Sequence, residues 1–161
     1  MLNLTIPTWA ESLLPGDVVL FEFPIAAASG GCAKARPCLV FDLRTLGGTT
    51  FVELAYGTTR SSRSNRGYEV RINHPEDYEA AGLRHPTRFI GARRAIVHPS
   101  HSGFTDAREG TPCIGQLPAF LMERLIDVRK KSRQAKIDGW RHQPRVEDLS
   151  DAFPTFQPFT A

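Results

Sequence analysis

Short apolar stretches separated by turn residues dominate the first hundred positions of the chain. Strand character is found at residues 16–23, 37–43, 50–56, 68–72, 88–90 and 95–97. Apolar runs this short, bounded by glycine, asparagine and proline, are typical of β-strands. Gly47 and Gly48 predict a turn between the second and third of them, because glycine supplies the backbone conformations that tight turns need.

Two segments have the features of helices. The first, NHPEDYEAAG, has Pro75 at its first position, acids in its first turn and Gly82 as its stop. The second is predicted to begin at Pro118 and to end at the basic run 129–131, with an apolar stripe of Leu121, Met122, Leu125, Ile126 and Val128. Five or more short strands closed by one amphipathic helix predict a mainly β, α+β fold, built as a small β-barrel.

The bulk composition is that of an ordinary globular protein with one domain. The chain has 161 residues, of which 41% are apolar and 23% charged. It contains no apolar run near the ~18 residues of a membrane span, and its first residues lack the basic region of a secretory signal. Cys32, Cys38 and Cys113 make an odd count without metal-ligand spacing, so we expect reduced thiols and a cytoplasmic protein.

The charge is concentrated in one loop. The net charge is only +3, but residues 58–71 hold four arginines and a single acid, Glu69. Arginines at 60, 63 and 66 recur every three residues, so they could follow the phosphates of a nucleic acid or form a solvated loop. Tyr56 and Tyr68 flank this loop and could stack on bases, although aromatic residues at strand ends more often serve packing.

Arg36 occupies an unusual position, directly before a buried strand. In the segment KARPCLVF it follows a small, glycine-rich stretch and precedes Pro37, which restricts the backbone of Arg36 to extended conformations. Arginine resists burial unless it is paired, and its planar guanidinium can contact two phosphate oxygens at once. From the residues alone, a surface arginine over a strand end is the simpler interpretation.

Four segments in order give the chain a resemblance to a known family. PGDVVLFEFP, ARPCLVF, VELAYGTT and IGQLPAFLMERLIDV resemble the PemK/MazF family of toxin endoribonucleases, over about residues 15 to 130. The resemblance implies an SH3-like barrel that forms a homodimer and cuts single-stranded RNA without a metal or other cofactor. It also implies a cognate antitoxin protein whose extended peptide blocks the RNA groove. The barrel domain would span residues 1–134, followed by an extended tail at 135–161.

The resemblance also implies site residues. Arg36 matches the loop arginine at the scissile phosphate and Thr58 the active-site threonine, so these two are the predicted catalytic residues. The predicted RNA-binding residues are Thr59, Arg60, Arg63, Arg66, Arg93 and Arg94. The chain departs from the family in two places. The loop before Arg36 has no acid, and where some members carry Arg-x-Asp this chain has Ile90-Gly91-Ala92, with Arg93 and Arg94 immediately after.

Without these acids, the proton-transfer groups remain open. His98 and His101 titrate near neutrality and could supply an acid and a base, although exposed loop histidines are the simpler interpretation. The main alternative is a binding module, in which the same barrel holds RNA or a partner protein without cutting it. DNA binding through the arginine loop is a third, weaker alternative.

Overall fold

The computed structural model describes residues 5–23 and 34–137, which form one six-stranded antiparallel sheet with three α-helices. The strands are β1 (Asp17–Phe21), β2 (Arg36–Leu46), β3 (Thr49–Thr58), β4 (Glu69–Ile72), β5 (Thr87–Val97) and β6 (Cys113–Gln116). The helices are α1 (Thr8–Glu11), α2 (Pro75–Ala80) and α3 (Met122–Ile137), with a 3-10 turn at Ala119–Leu121. The strand order is β4-β5-β3-β2-β1-β6. The predicted α+β class, mainly β, is therefore confirmed.

The β2–β3 hairpin forms as the sequence predicts. Its loop is the pair Gly47 and Gly48, with φ of 57° and 80° between Leu46 and Thr49. A two-residue turn with positive φ at both positions has the twist that antiparallel strands need, and glycine adopts it without steric cost.

β5 is one strand, not the predicted two. The register shifts between Ala55 and Tyr56 of β3, because residues 91–93 add an irregular bend within β5. Gly91 allows this bend, since a Cβ there would lie 2.6 Å from Val128 Cγ1 and 2.9 Å from the Tyr68 carbonyl oxygen. The bend breaks the apolar pattern, which made a single strand look like two.

Two elements were not predicted at all. The strand β6 contains Gly115 and has no fully buried residue, so it lacks the alternation that identifies a strand from sequence. The helix α1 is only four residues long, with no buried residue and no side-chain cap. Both are held by tertiary contacts rather than by local preference.

The sheet has a core on each face. On one face, Leu39, Phe41 and Phe89 pack with Leu125 and Val128 of α3, and we call this the α3 face. On the other, which we call the Trp9 face, the buried cluster includes Phe21, Cys38, Val40, Leu54, Tyr56 and Ile90, covered by Trp9 and Phe104. The rings of Trp9 and Phe104 are 4.9 Å apart between centroids.

The sheet is strongly curled, so that its two ends come to one side. β4 and β6 are the first and last strands in the order, yet the end of α2 lies directly against β6. A Cβ on Gly82 would lie 2.0 Å from the carbonyl oxygen of Ile114, and one on Gly115 would lie 2.4 Å from the carbonyl of Ala81. Two glycines therefore allow the backbone after β4 to contact the opposite edge strand.

The last helix differs from its predicted form in length and in one face residue. It does not end at residues 129–131 but continues to Ile137, because Ser132 and Ala135 extend its buried side. Arg129 and Arg133 reach Asp42 of β2, so this basic stretch contacts the sheet. Ile126, predicted in the apolar stripe, is 42% exposed.

The helix passes the predicted domain boundary at 134, and the rest of the predicted tail, 138–161, lies outside the described residues. Among the residues that are described, no helix is both long enough and apolar enough to cross a bilayer.

Candidate functional site

The two predicted catalytic residues, Arg36 and Thr58, lie beside each other at one end of the sheet. The β2–β3 register pairs Cys38 with Tyr56. Continued by two residues, the same register puts Arg36, the first residue of β2, opposite Thr58, the last residue of β3. Residues opposite each other on antiparallel strands have Cβ atoms about 5 Å apart and point to the same face.

Two further arginines continue this line across the sheet. Thr58 pairs with Arg88 of β5, and Arg88 pairs with Arg71 of β4. We call the line Arg36, Thr58, Arg88 and Arg71 the arginine row. With neighbouring strands about 4.8 Å apart, it spans about 15 Å across four strands.

The two predicted catalytic residues, Arg36 and Thr58, differ in how accessible they are. Arg36 is exposed, and within the described residues no carboxylate pairs with its guanidinium. Thr58 is only 7% exposed, and its Oγ1 accepts a hydrogen bond from the backbone N–H of Arg60 at 3.1 Å. The guanidinium of Arg36 is thus available to an external anion, beside a hydroxyl held in a fixed position.

A buried ion-pair cluster supports the other half of the row. Arg88 Nη1 donates to Glu69 Oε2 at 2.7 Å, and Arg71 Nε donates to the other oxygen of the same carboxylate. The side chains of Arg88 and Glu69 are only 9% and 4% exposed. Burial of both charges is tolerated because each is paired and hydrogen-bonded.

Arg88 also fixes the basic loop, residues 59–68. Its Nε donates to the carbonyl of Arg60 at 2.7 Å, and its Nη1 lies 3.4 Å from the Ser62 carbonyl and 3.3 Å from the Ser64 carbonyl. Arg71 Nη2 donates to the same Ser62 carbonyl at 3.3 Å. The loop is therefore anchored from beneath, with four predicted RNA-binding residues exposed on it: Thr59, Arg60, Arg63 and Arg66.

The other two predicted RNA-binding residues lie elsewhere and differ from each other. Arg93 is exposed, with its guanidinium carbon 6.0 Å from the centroid of the Tyr56 ring. Arg94 reaches to the α3 face, where it lies 5.0 Å from the Phe41 ring and binds Glu53 at 3.1 Å. The structure therefore does not bring Arg94 to the arginine row.

Of the two aromatic residues beside the basic loop, Tyr56 is not free to stack. Tyr56 is 7% exposed and packs against Phe23, with centroids 5.4 Å apart. It therefore serves the core of the Trp9 face, as the packing interpretation holds. Tyr68 is half-buried, and its carbonyl accepts the N–H of Gly91 at 2.7 Å.

The two histidines pack against different aromatic residues. His98 packs edge-on to Phe51 and has its Nδ1 2.7 Å from the Ser100 hydroxyl. His101 packs on Phe21, which is the β1 partner of Arg36, with ring centroids 5.2 Å apart. Burial lowers the pKa of His101, against the opposing effect of the Glu22 carboxylate.

The Nδ1 atom of His101 accepts a hydrogen bond from the backbone N–H of Gly103 at 2.8 Å. The His101 imidazole is therefore held mainly neutral near pH 7, with one ring nitrogen already engaged.

Sequence reasoning missed Arg88 and Glu69 as parts of the site. One signal was present: Arg88 stands in an apolar strand segment, where a charge needs a buried partner, and Glu69 is the single acid of the basic stretch. Only the folded structure, in which β4 pairs with β5, shows that the two meet.

Cys38 behaves as a core residue. Cys38 is fully buried, and burial raises the pKa of its thiol to about 12, so it is not a nucleophile at neutral pH. Cys32 lies outside the described residues. In residues 5–23 and 34–137, no group of three or more His, Cys, Asp and Glu side chains could hold a metal ion.

Neither the family models nor the curated proteins with which the sequence was compared include a match.

Proposed function

We propose that this protein is a metal-independent endoribonuclease of the PemK/MazF toxin class, which cuts single-stranded RNA and inhibits growth. The observation that carries the proposal is the position of Arg36 opposite Thr58 at the end of the sheet. The Arg36 guanidinium has no ion pair among the described residues and lies beside a fixed hydroxyl. The resemblance predicted these two residues from separate segments, 22 positions apart in the sequence.

The chemistry is attack by the 2′ oxygen of the RNA on the adjacent phosphorus. A bond from O2′ to phosphorus forms, the bond from phosphorus to O5′ breaks, and the 2′ proton leaves while the 5′ oxygen gains one. The products are a 2′,3′-cyclic phosphate and a 5′ hydroxyl. Arg36 is suited to stabilise the doubly negative phosphorane, because its two N–H groups match two equatorial oxygens. The Thr58 hydroxyl can donate to one of the same two oxygens.

The basic loop gives the substrate a path to this centre. Arg88 and Arg71 hold the loop carbonyls, and the exposed guanidiniums of Arg60, Arg63 and Arg66 then face solvent. Cations on an anchored loop bind a polyanion with less loss of loop entropy than cations on a mobile loop do.

The remaining parts of the proposal follow from the same resemblance. We infer a curled sheet that acts as an SH3-like barrel, a homodimer that forms the RNA groove, a cytoplasmic location and a cognate antitoxin that blocks the groove. The contact of the α2 end with β6 supports the barrel, because it covers the gap between the sheet edges.

A second candidate function is an RNA-binding module without nuclease activity. The observation that favours it is that both buried carboxylates of the described residues are occupied. Glu69 is bound by Arg71 and Arg88, and Glu53 by Arg44 and Arg94. Each of these carboxylates has both oxygens engaged by guanidiniums, so neither oxygen is free to accept the 2′ proton.

One assay separates the two functions. Purified protein is incubated with end-labelled single-stranded RNA in excess chelator, beside the same RNA carrying 2′-O-methyl groups throughout. The nuclease cuts the first RNA, leaves 2′,3′-cyclic phosphate ends and spares the second. The binding module retains both RNAs on a filter and cuts neither, and that result would overturn the nuclease proposal.

A further inference from the structure

A basic cleft lies along the outer side of β4, at the far end of the arginine row from Arg36. It has a volume of about 540 Å³ and opens between the basic loop and the start of α3. The residues that line it are Arg66, Gly67, Glu69, Arg71, Leu121 and Arg124. Three of these six residues are arginines, brought together from the loop, the edge strand and the helix.

The carboxylate in the lining does not cancel this charge. Glu69 is buried, and its two oxygens are bound by Arg71 and Arg88. Arg124 donates through Nε to the main-chain oxygen of Glu69 at 3.1 Å and through Nη1 to Asp127 at 3.2 Å.

Counting Arg66 as well, the four guanidiniums in and behind the cleft outnumber the two carboxylates by two. A concave wall concentrates that surplus positive potential, which attracts an anion.

Phosphate fits this cleft better than an isolated carboxylate does. Arg66 is exposed and has no ion pair among the described residues, and Arg71 keeps a 40% exposed side chain while it holds Glu69. Guanidiniums from different elements can contact separate oxygens of one tetrahedral phosphate. Arg71 also belongs to the row that includes Arg36 and Thr58, so a strand with repeated phosphates can reach both places.

We propose that the Arg66–Arg71–Arg124 cleft is a phosphate subsite for an RNA strand whose scissile phosphate lies at Arg36 and Thr58, about 15 Å away along the row. This inference rests on the proposed function for its ligand. In this proposal, the edge of β4 and the start of α3 bind the RNA strand at a phosphate that is distant from the reacting bond.

The test uses 2′-O-methyl RNA, which lacks the nucleophilic hydroxyl, so that binding is measured without cleavage. Its affinity is measured across a range of salt concentrations for the parent and for Arg66→Gln/Arg71→Gln. The control is Arg84→Gln/Arg108→Gln, which removes two exposed arginines outside the cleft lining. Arg66→Gln alone is included because it touches no buried ion pair, and thermal melting checks that each variant is folded.

We expect the slope of log affinity against log salt to flatten by about 0.7 for each phosphate that a cleft variant no longer binds. The control variant keeps the parent slope. Equal slopes for the cleft variants and the control would overturn the proposal.

A second probe, inorganic phosphate, identifies the source of the anion. If the cleft variants lose phosphate binding but keep the parent RNA slope, the cleft serves free phosphate and the RNA subsite is wrong. Cleavage of unmodified RNA separates this inference from the proposed function. A parent that cuts RNA while its cleft variants keep the slope refutes only the cleft. A parent that cuts nothing, although its cleft variants flatten the slope, refutes only the nuclease.

Discussion

Replacing Arg88 with methionine should destabilise the protein far more than replacing an exposed arginine. The side chain of Arg88 is 9% exposed, and its donors serve Glu69 and three loop carbonyls, those of Arg60, Ser62 and Ser64. Removing one partner of a buried ion pair costs about 3–5 kcal/mol, because the other charge stays buried. Arg71 still holds one oxygen of Glu69, and the loop carbonyls lie near water. We therefore expect about 3 kcal/mol, a large part of the ~5–15 kcal/mol typical of a domain.

Equilibrium urea unfolding measures this loss. The matched control is Arg108→Met, at an exposed position, where a change within about 0.5 kcal/mol is expected. A double-mutant cycle with Glu69→Gln tests the mechanism, because removing the carboxylate charge relieves the penalty that Arg88→Met leaves behind. The double variant should be more stable than the sum of the single effects by about 0.5–3 kcal/mol. Additive effects, or an Arg88→Met variant as stable as the control, would refute the reasoning.

Three further predictions follow from the exposed loop, the buried thiol and the half-buried histidine. Changing Arg60, Arg63 and Arg66 to alanine should flatten the salt dependence of RNA binding by about 0.7 for each phosphate no longer bound, and an unchanged slope would mark the loop as a solvated surface. Because burial raises the pKa of Cys38 to about 12, iodoacetamide should leave it unlabelled in native protein and label it in urea, as read by mass spectrometry. Burial lowers the pKa of His101, so its contribution to stability is present above its unfolded pKa of about 6.5 and is lost as pH falls through the lower folded pKa. The unfolding free energy of the parent should therefore fall more than that of His101→Gln between about pH 7 and about pH 5, and parallel curves would contradict this.

The sequence could predict what depends on local pattern. The β2–β3 hairpin follows from Gly47 and Gly48, and α2 follows from Pro75 and Gly82, since both signals act within a few residues. The burial of Cys38 likewise follows from the apolar run in which it lies.

What the sequence could not predict depends on contacts across the sheet. β6 contains Gly115 and has no strong strand pattern, and it forms because β1 and the end of α2 pack against it. α3 runs past its basic stretch because Arg133 binds Asp42, which is 91 residues away. Arg94 was predicted to bind RNA, but the bend in β5 lets it reach Glu53 on the α3 face.

The same limit applies to the candidate site. Arg36 and Thr58 were predicted from the resemblance, and the register brings them together. Arg88 and Glu69 were not predicted, because an ion pair 19 residues apart leaves no pattern in the sequence. The ion pair between Arg88 and Glu69, which holds part of the arginine row in place, therefore becomes visible only in the folded structure.

The most direct test of the central proposal is the cleavage rate of Arg36→Lys in excess chelator. Lysine keeps the charge but loses the planar two-point contact with phosphate, so affinity for 2′-O-methyl RNA should change little. Loss of transition-state stabilisation should cost on the order of 2–4 kcal/mol, or about 30- to 1000-fold in rate. Arg108→Lys is the matched control, with the parent rate expected. If Arg36→Lys cuts single-stranded RNA as fast as the parent, the assignment of Arg36 to the scissile phosphate is wrong.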